Sequence, residues 1–194
     1  MQPTREHSIE GHSIRIYDGL LQEQAIHALT AALDEGGFVR SEIARPDTQA
    51  FRHWALNIPL EAAVKLPVYQ PTLDAMRQFS SEARHHIYRC YCNYASYGDM
   101  LFTHTDCDPG TTDLTALWFI APHWDVEWGG ETLFFNSSLD AEVVVSPRPG
   151  RLVMFEGVLR HVGRPPNRIC FNPRYTLAFK LMPGNEMQDD KSPA

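Results

Sequence analysis

The sequence predicts a mainly β domain with flanking helices, the helices first and the strands after. Two observations lead there. Apolar residues recur at helical spacing only in the first part of the chain, at Leu21, Ala25, Leu29, Ala32 and Leu33, then at Leu73, Met76, Phe79 and Ala83. Beyond about residue 86 the chain breaks into short apolar or alternating runs. Turn clusters divide them: Gly129-Gly130, Pro147-Arg148-Pro149-Gly150 and Pro165-Pro166-Asn167. Many short strands between turns favour a sandwich, barrel or jelly roll over a βαβ fold.

In chain order, Ile14–Tyr17 reads as a short strand. A helix is expected over roughly Leu20–Glu35, capped by Asp18 and ended by Gly36-Gly37. Residues 38–68 hold Pro46, Pro59 and Pro67 and carry no clear period. A second helix is expected from about Thr72 to Arg84. Strands are then expected at His86–Tyr97, Leu101–Asp106, Leu114–Ala121, Glu131–Asn136, Ala141–Ser146, Arg151–Phe155, Leu159–Val162 and Tyr175–Met182. The whole chain, 1–194, reads as one domain. About 1–85 forms a helical and loop support that also supplies the substrate region, about 86–182 a β-rich core, and 183–194 a polar tail.

Composition narrows the class. The hydrophobic share of 43% and charged share of 21% are ordinary for a globular domain. The net charge of -7 argues against nucleic acid or an anionic membrane surface as a partner. No apolar run is long enough to span a bilayer, and the first residues lack a signal-type apolar segment, so a cytoplasmic protein is expected. The four cysteines, Cys90, Cys92, Cys107 and Cys170, lack zinc-knuckle or thioredoxin spacing and read as reduced structural thiols.

The chemistry concentrates at His104-Thr105-Asp106 and His161. On an extended strand, residues i and i+2 face one side, so His104 and Asp106 can meet one ion, with His161 brought in by the fold. Two imidazoles and one carboxylate on one face of an octahedral metal leave the opposite face open, the arrangement of non-haem Fe(II) oxygenases. Taken alone the pair is weak evidence, because the chain has nine histidines. Its context adds specificity: Tyr94–Thr103 upstream, Trp128-Gly129-Gly130-Glu131-Thr132-Leu133-Phe134-Phe135 downstream, then Pro149–Phe155 before His161, and Arg174–Phe179 at the close.

In order and spacing these segments resemble the Fe(II)/2-oxoglutarate-dependent dioxygenase superfamily, in its prolyl-4-hydroxylase-like branch. The similarity is strong over Arg89–Leu181 and weaker over Ile14–Phe38. It implies a double-stranded β-helix (jelly-roll) core and Fe(II) held by His104, Asp106 and His161. It further implies that Arg174 anchors the far carboxylate of 2-oxoglutarate with Thr176 beside it, that Tyr94 hydrogen-bonds the co-substrate, and that Trp118 and Phe119 sit on a pocket-lining strand. An arginine suits a carboxylate because its planar fork makes paired charge-assisted bonds. Arg168 is the competing anchor, set in a turn. Trp124 and Trp128 flank a loop that could close over a substrate.

The resemblance implies an enzyme that consumes 2-oxoglutarate and O2, releases succinate and CO2, and hydroxylates an unactivated C–H bond. The carboxylate of Asp106 favours hydroxylation over halogenation, since family halogenases carry a small residue there. By family analogy the substrate is an amino-acid or peptidyl group, prolyl included, contacted from residues 40–68 and 107–113. The same chemistry on a small non-amino-acid metabolite is the alternative. From other classes, a catalytically silent metal/2-oxoglutarate-binding sensor module and a cupin working without 2-oxoglutarate are weighed. The intact arginine–hydroxyl pair argues against both.

Overall fold

The computed structural model describes residues 1–80 and 85–184. Eleven strands and three α-helices make up the described residues. The strands are β1 (Arg5–Ile9), β2 (His12–Tyr17), β3 (Val39–Glu42), β4 (His53–Ile58), β5 (His85–Ala95), β6 (Leu114–Ile120), β7 (Thr132–Phe135), β8 (Ala141–Val145), β9 (Leu152–Glu156), β10 (His161–Gly163) and β11 (Arg174–Pro183). The helices are α1 (Glu23–Asp34), α2 (Leu60–Ala63) and α3 (Tyr69–Phe79).

The strands form two antiparallel sheets. The larger runs β1-β2-β9-β6-β11-β5-β4-β3 and the smaller β10-β7-β8. The inner residues Phe134, Val143 and Val145 of the small sheet pack with Ile14, Ile16, Phe119, Val153 and Phe155 of the large one. That is the expected jelly roll: two sheets closing on a shared interior. The other face of the large sheet carries a second core. There Cys90, Cys92, Trp118, Leu177, Phe179 and Leu181 meet Leu29, Leu33, Ala63, Val68 and Met76 from the helical part.

Several local expectations shift. Helix α1 begins after Gln22, and Asp18 does not cap it. Asp18 instead accepts two hydrogen bonds from Arg151, at 2.7 and 2.9 Å, and Arg151 is only 1% exposed. A buried guanidinium needs a bidentate partner more than a helix needs one more cap. The irregular stretch 38–68 contains β3, β4 and α2; its prolines fall between those elements. Strand β1 was not anticipated. No strand forms over Leu101–Asp106: only His104 is paired, in a single bridge to His161. The end of the second expected helix, to Arg84, and most of the polar tail lie outside the described residues. Among the described residues no helix is long and apolar enough to cross a membrane.

Candidate active site

The single bridge sets the geometry. The backbone N–H of His104 donates to the carbonyl of His161 at 3.0 Å, and the N–H of His161 donates back at 2.9 Å. This places the two rings 4.4 Å apart between centroids. Asp106 is fixed by its N–H, which donates to the Gly157 carbonyl at 2.7 Å. The Nε2 atom of His104 then lies 3.5 Å from Oδ1 of Asp106, and Nε2 of His161 lies 3.7 Å from Oδ2. One donor atom from each of the three residues falls within 4.8 Å of the others, close enough for one ion about 2 Å from each.

Both imidazoles are oriented alike. Nδ1 of His104 is 3.0 Å from the Phe102 carbonyl, and Nδ1 of His161 is 2.9 Å from the Leu159 carbonyl. A carbonyl only accepts, so each Nδ1 carries the proton and each Nε2 turns its lone pair toward Asp106. Such outer hydrogen bonds are what fix histidine tautomers at metal sites. Burial pushes the His161 imidazole down to about 4, so it is neutral at physiological pH. Burial would raise the Asp106 carboxyl, but Lys180 and His161 outweigh it and hold the group well below its usual range. The Thr115 hydroxyl also donates to Oδ2 of Asp106 at 2.6 Å.

Arg174 shares this cavity with the triad. It is 3% exposed, yet no acidic side chain pairs with it among the described residues. Its Nε donates to the Gly130 carbonyl at 2.5 Å and one terminal nitrogen to the Thr132 hydroxyl at 2.9 Å. The other lies 3.5 Å from the Thr176 hydroxyl. Burial lowers the guanidinium to about 10, so it stays charged. Two glycines make room for it. A Cβ on Gly163 would stand 3.0 Å from both terminal nitrogens, and one on Gly130, at φ +81°, would stand 3.2 Å from Arg174 Cδ. A buried, unpaired cation in a glycine-walled cradle is a strong site for an anion, because desolvating an unpaired charge is costly.

The other expected residues divide. Thr176 lines the cavity beside Arg174. Tyr94 borders it, but the ring does not lie on the Arg174 side. Tyr94 pairs in register with Tyr175, and its ring packs against Phe38 and Tyr175, on the helix side of the sheet. Strand alternation gives the inward positions of β5 to Tyr91, Asn93 and Ala95 instead. Trp118 likewise faces the helices, its indole N–H donating to Thr72 at 2.8 Å, while the Phe119 ring lies 5.2 Å from the Arg174 guanidinium. Arg168 is exposed in its turn, away from the cavity. Trp124 and Trp128 pack edge to face, and Trp124 closes on Gly130.

The residue that sequence reasoning missed is Lys180. It is 7% exposed, and its ammonium contacts Oδ2 of Asp106 and donates to the Thr115 hydroxyl at 3.0 Å. The signal was present: residues 174, 176, 178 and 180 share one strand phase, and Lys180 interrupts the apolar run in the same phase as Arg174. Asn93 was missed too. Its Oδ1 is buried with no hydrogen-bond partner, on a residue lining the cavity.

With this geometry in place, comparison with known proteins adds a family match. Residues 91–180 match the model of the 2OG-Fe(II) oxygenase superfamily. Over this segment, just under half of the chain, the sequence is similar to that superfamily. The matched span runs from the inward face of β5 to Lys180 and includes the triad and Arg174. The 2OG-Fe(II) oxygenases are enzymes that use Fe(II), 2-oxoglutarate and O2, and the donor set of this cavity suits that combination. A prolyl-4-hydroxylase from Pseudomonas putida is similar in structure, with 18% identity, TM-score 0.66, and 89% of this chain and 94% of that one covered. A prolyl hydroxylase from Trichoplax adhaerens, solved with a hypoxia-inducible-factor peptide fragment, has 15% identity, TM-score 0.67, and coverage of 87% and 83%. HygX from Streptomyces hygroscopicus, solved with nickel and 2-oxoglutarate, has 14% identity, TM-score 0.64, and coverage of 88% and 82%. A comparison with curated protein sequences finds no match.

Proposed function

We propose that this chain is a 2OG-Fe(II) oxygenase that hydroxylates an unactivated C–H bond of an amino-acid or peptidyl substrate, prolyl groups included. His104, Asp106 and His161 would hold Fe(II), and Arg174, with Thr176 and Thr132, would receive the far carboxylate of 2-oxoglutarate. The observation that carries this is the buried guanidinium without an acidic partner, in the same cavity as two imidazoles whose Nε2 lone pairs converge on a carboxylate.

When bound, Fe(II) with 2-oxoglutarate and O2 supplies the oxidising power, with succinate and CO2 as by-products. The chain's own residues have quieter tasks. Asp106 stays ionised and His161 stays neutral, the forms in which both bind a divalent cation. Arg174 fixes the orientation of a dicarboxylate by a charge-assisted fork. Leu117, Phe155 and Ala178 give the cavity apolar wall and exclude water. No side chain is required as nucleophile.

The cavity mouth supports a substrate larger than its reacting group. Leu101 and Phe102 line the cavity, and Phe51, half exposed, packs on Phe102 at 5.5 Å. Arg45 lies over the outer face of Phe102. Together with exposed Met100, Phe51 and Phe102 extend an apolar surface outward from the site, and the Arg45 guanidinium is paired with Asp47 at 3.0 Å. The Trichoplax adhaerens neighbour was solved with a peptide, which agrees with this choice.

The test is anaerobic titration of the Fe(II) protein with 2-oxoglutarate, followed by a panel of free amino acids and short peptides with and without proline. A metal-to-ligand charge-transfer band should appear with 2-oxoglutarate in the wild type and be absent in His104→Ala. A peptide or amino acid should then perturb the band and, in air, accelerate succinate formation. No band in the wild type would overturn the site assignment. Turnover of non-amino-acid metabolites alone would overturn the substrate class.

A further inference from the structure

Asp106 is gripped on one side only. Its Oδ2 accepts from the Thr115 hydroxyl at 2.6 Å and contacts the Lys180 ammonium, and Lys180 itself donates to Thr115 at 3.0 Å. Register explains the triangle: Lys180 of β11 and Thr115 of β6 are direct cross-strand partners, both inward and both buried. Tyr91, inward on β5, places its ring 5.9 Å from the Lys180 nitrogen. Among the described residues nothing comparable holds Oδ1, whose near neighbour is Nε2 of His104 at 3.5 Å. Among the described residues the cavity thus holds two buried cations, Arg174 and Lys180, and of these the second touches the triad.

We infer that Lys180, assisted by Thr115, is a positioning residue that holds Oδ2 of Asp106 so the carboxylate offers a metal ion Oδ1 alone, and that its charge lowers the triad's affinity for the ion. This rests on the triad being the metal site. The consequence for chemistry is a matter of coordination number. Two imidazoles and one carboxylate oxygen leave three positions on a six-coordinate ion, whereas a chelating carboxylate leaves two.

The sign of the affinity effect follows from magnitudes. Outer contacts that merely orient a ligand are worth about 10–100-fold in metal affinity, and losing one weakens binding. Here the outer group is a cation in contact with the carboxylate that would bind the dication. Even at an effective dielectric near 20, that repulsion exceeds the orienting gain. Removing the ammonium should therefore tighten metal binding, opposite to the result for a structural support.

The test uses Co(II), whose visible spectrum reports coordination, on the full chain. Lys180→Met should bind Co(II) more tightly, by at least about tenfold, with altered visible bands. Lys180→Arg, which keeps charge and donors, should restore wild-type affinity and spectrum. Thr115→Val should alter the bands in the same sense with a smaller change in affinity. A folded Lys180→Met protein with unchanged or weaker Co(II) affinity overturns the inference. Should that variant not fold, a wild-type Co(II) spectrum in Thr115→Val overturns it instead. Wild-type protein that binds no Co(II) overturns the metal site and this inference together; binding by the wild type with indistinguishable variants overturns the inference alone.

Discussion

The two faces of β11 are equally buried and opposite in chemistry. Toward the helices it presents Tyr175, Leu177, Phe179 and Leu181, each at most 4% exposed and part of a continuous apolar core. Toward the interior of the jelly roll it presents Arg174, Thr176, Ala178 and Lys180, at most 7% exposed and lining the cavity. One face stabilises the fold by removing hydrocarbon from water. The other keeps two cations and a hydroxyl out of water, a net cost accepted only where their fields act on something else. Burial by itself therefore does not separate core from site; the chemistry of alternate positions does.

The sharpest way to break this contrast is to truncate the helix-side face. Phe179 is 0% exposed and packs edge-on against Tyr69 at 6.2 Å. Phe179→Ala should cost about 3–5 kcal/mol of unfolding free energy, measured by urea denaturation, from lost burial and the cavity left behind. A loss below about 1 kcal/mol would mean that this face is not the principal core. The barrel side should instead impose a pH dependence. His161 is buried neutral and held at about 4, below its unfolded value near 6.5. The unfolded chain binds the extra proton first, so this contribution is fully present above about pH 6.5 and is lost as pH falls toward 4. The loss amounts to at most about 3 kcal/mol. His53, also lowered by burial, acts in the same direction. In the presence of a chelator, unfolding free energy should fall across that window, and His161→Gln should flatten most of the fall. An unchanged slope in the variant would assign the pH dependence elsewhere.

The sequence made the two faces of β11 readable in part. Alternation placed Arg174 and Thr176 on one side correctly, because period-two arithmetic holds along an unbroken strand. Tyr94 came from the family resemblance rather than from alternation; it borders the cavity, but strand pairing turns its ring to the helix side and gives the inward places of β5 to Tyr91 and Asn93. His104 and Asp106 were found, although the strand expected to carry them does not form. A single mutual bridge to His161 organises them, and pairing between distant segments leaves no local periodic signal. Asp18 misled for a related reason: its partner, Arg151, is far away in the chain and becomes a neighbour only when β2 pairs with β9. Long-range partners of charged groups are the part of such a fold that local patterns do not encode.

Substitutions on the barrel face then sharpen the comparison, because they should alter binding with little effect on stability. Arg174→Met removes a buried unpaired charge, which favours the variant, but strands the Gly130 carbonyl and the Thr132 hydroxyl, which disfavours it. The opposing terms should leave unfolding free energy within about 1 kcal/mol of wild type. Loss of a charge-assisted fork should weaken 2-oxoglutarate binding on the order of 100-fold, as read by calorimetry on the metal-loaded protein. If Arg168→Ala gives that loss and Arg174→Met does not, the anchor is misassigned.

Thr176→Val is the mildest case. The hydroxyl lies 3.5 Å from Arg174, at the limit of a hydrogen bond, and the residue is 2% exposed, so an isosteric methyl keeps the packing. A neutral hydrogen bond is worth about 1 kcal/mol, which predicts a several-fold rise in the 2-oxoglutarate dissociation constant and a small change in stability. An effect as large as that of Arg174→Met would make Thr176 a direct ligand to the carboxylate in its own right. No effect on affinity would leave Thr132, at 2.9 Å, as the hydroxyl that steadies the guanidinium.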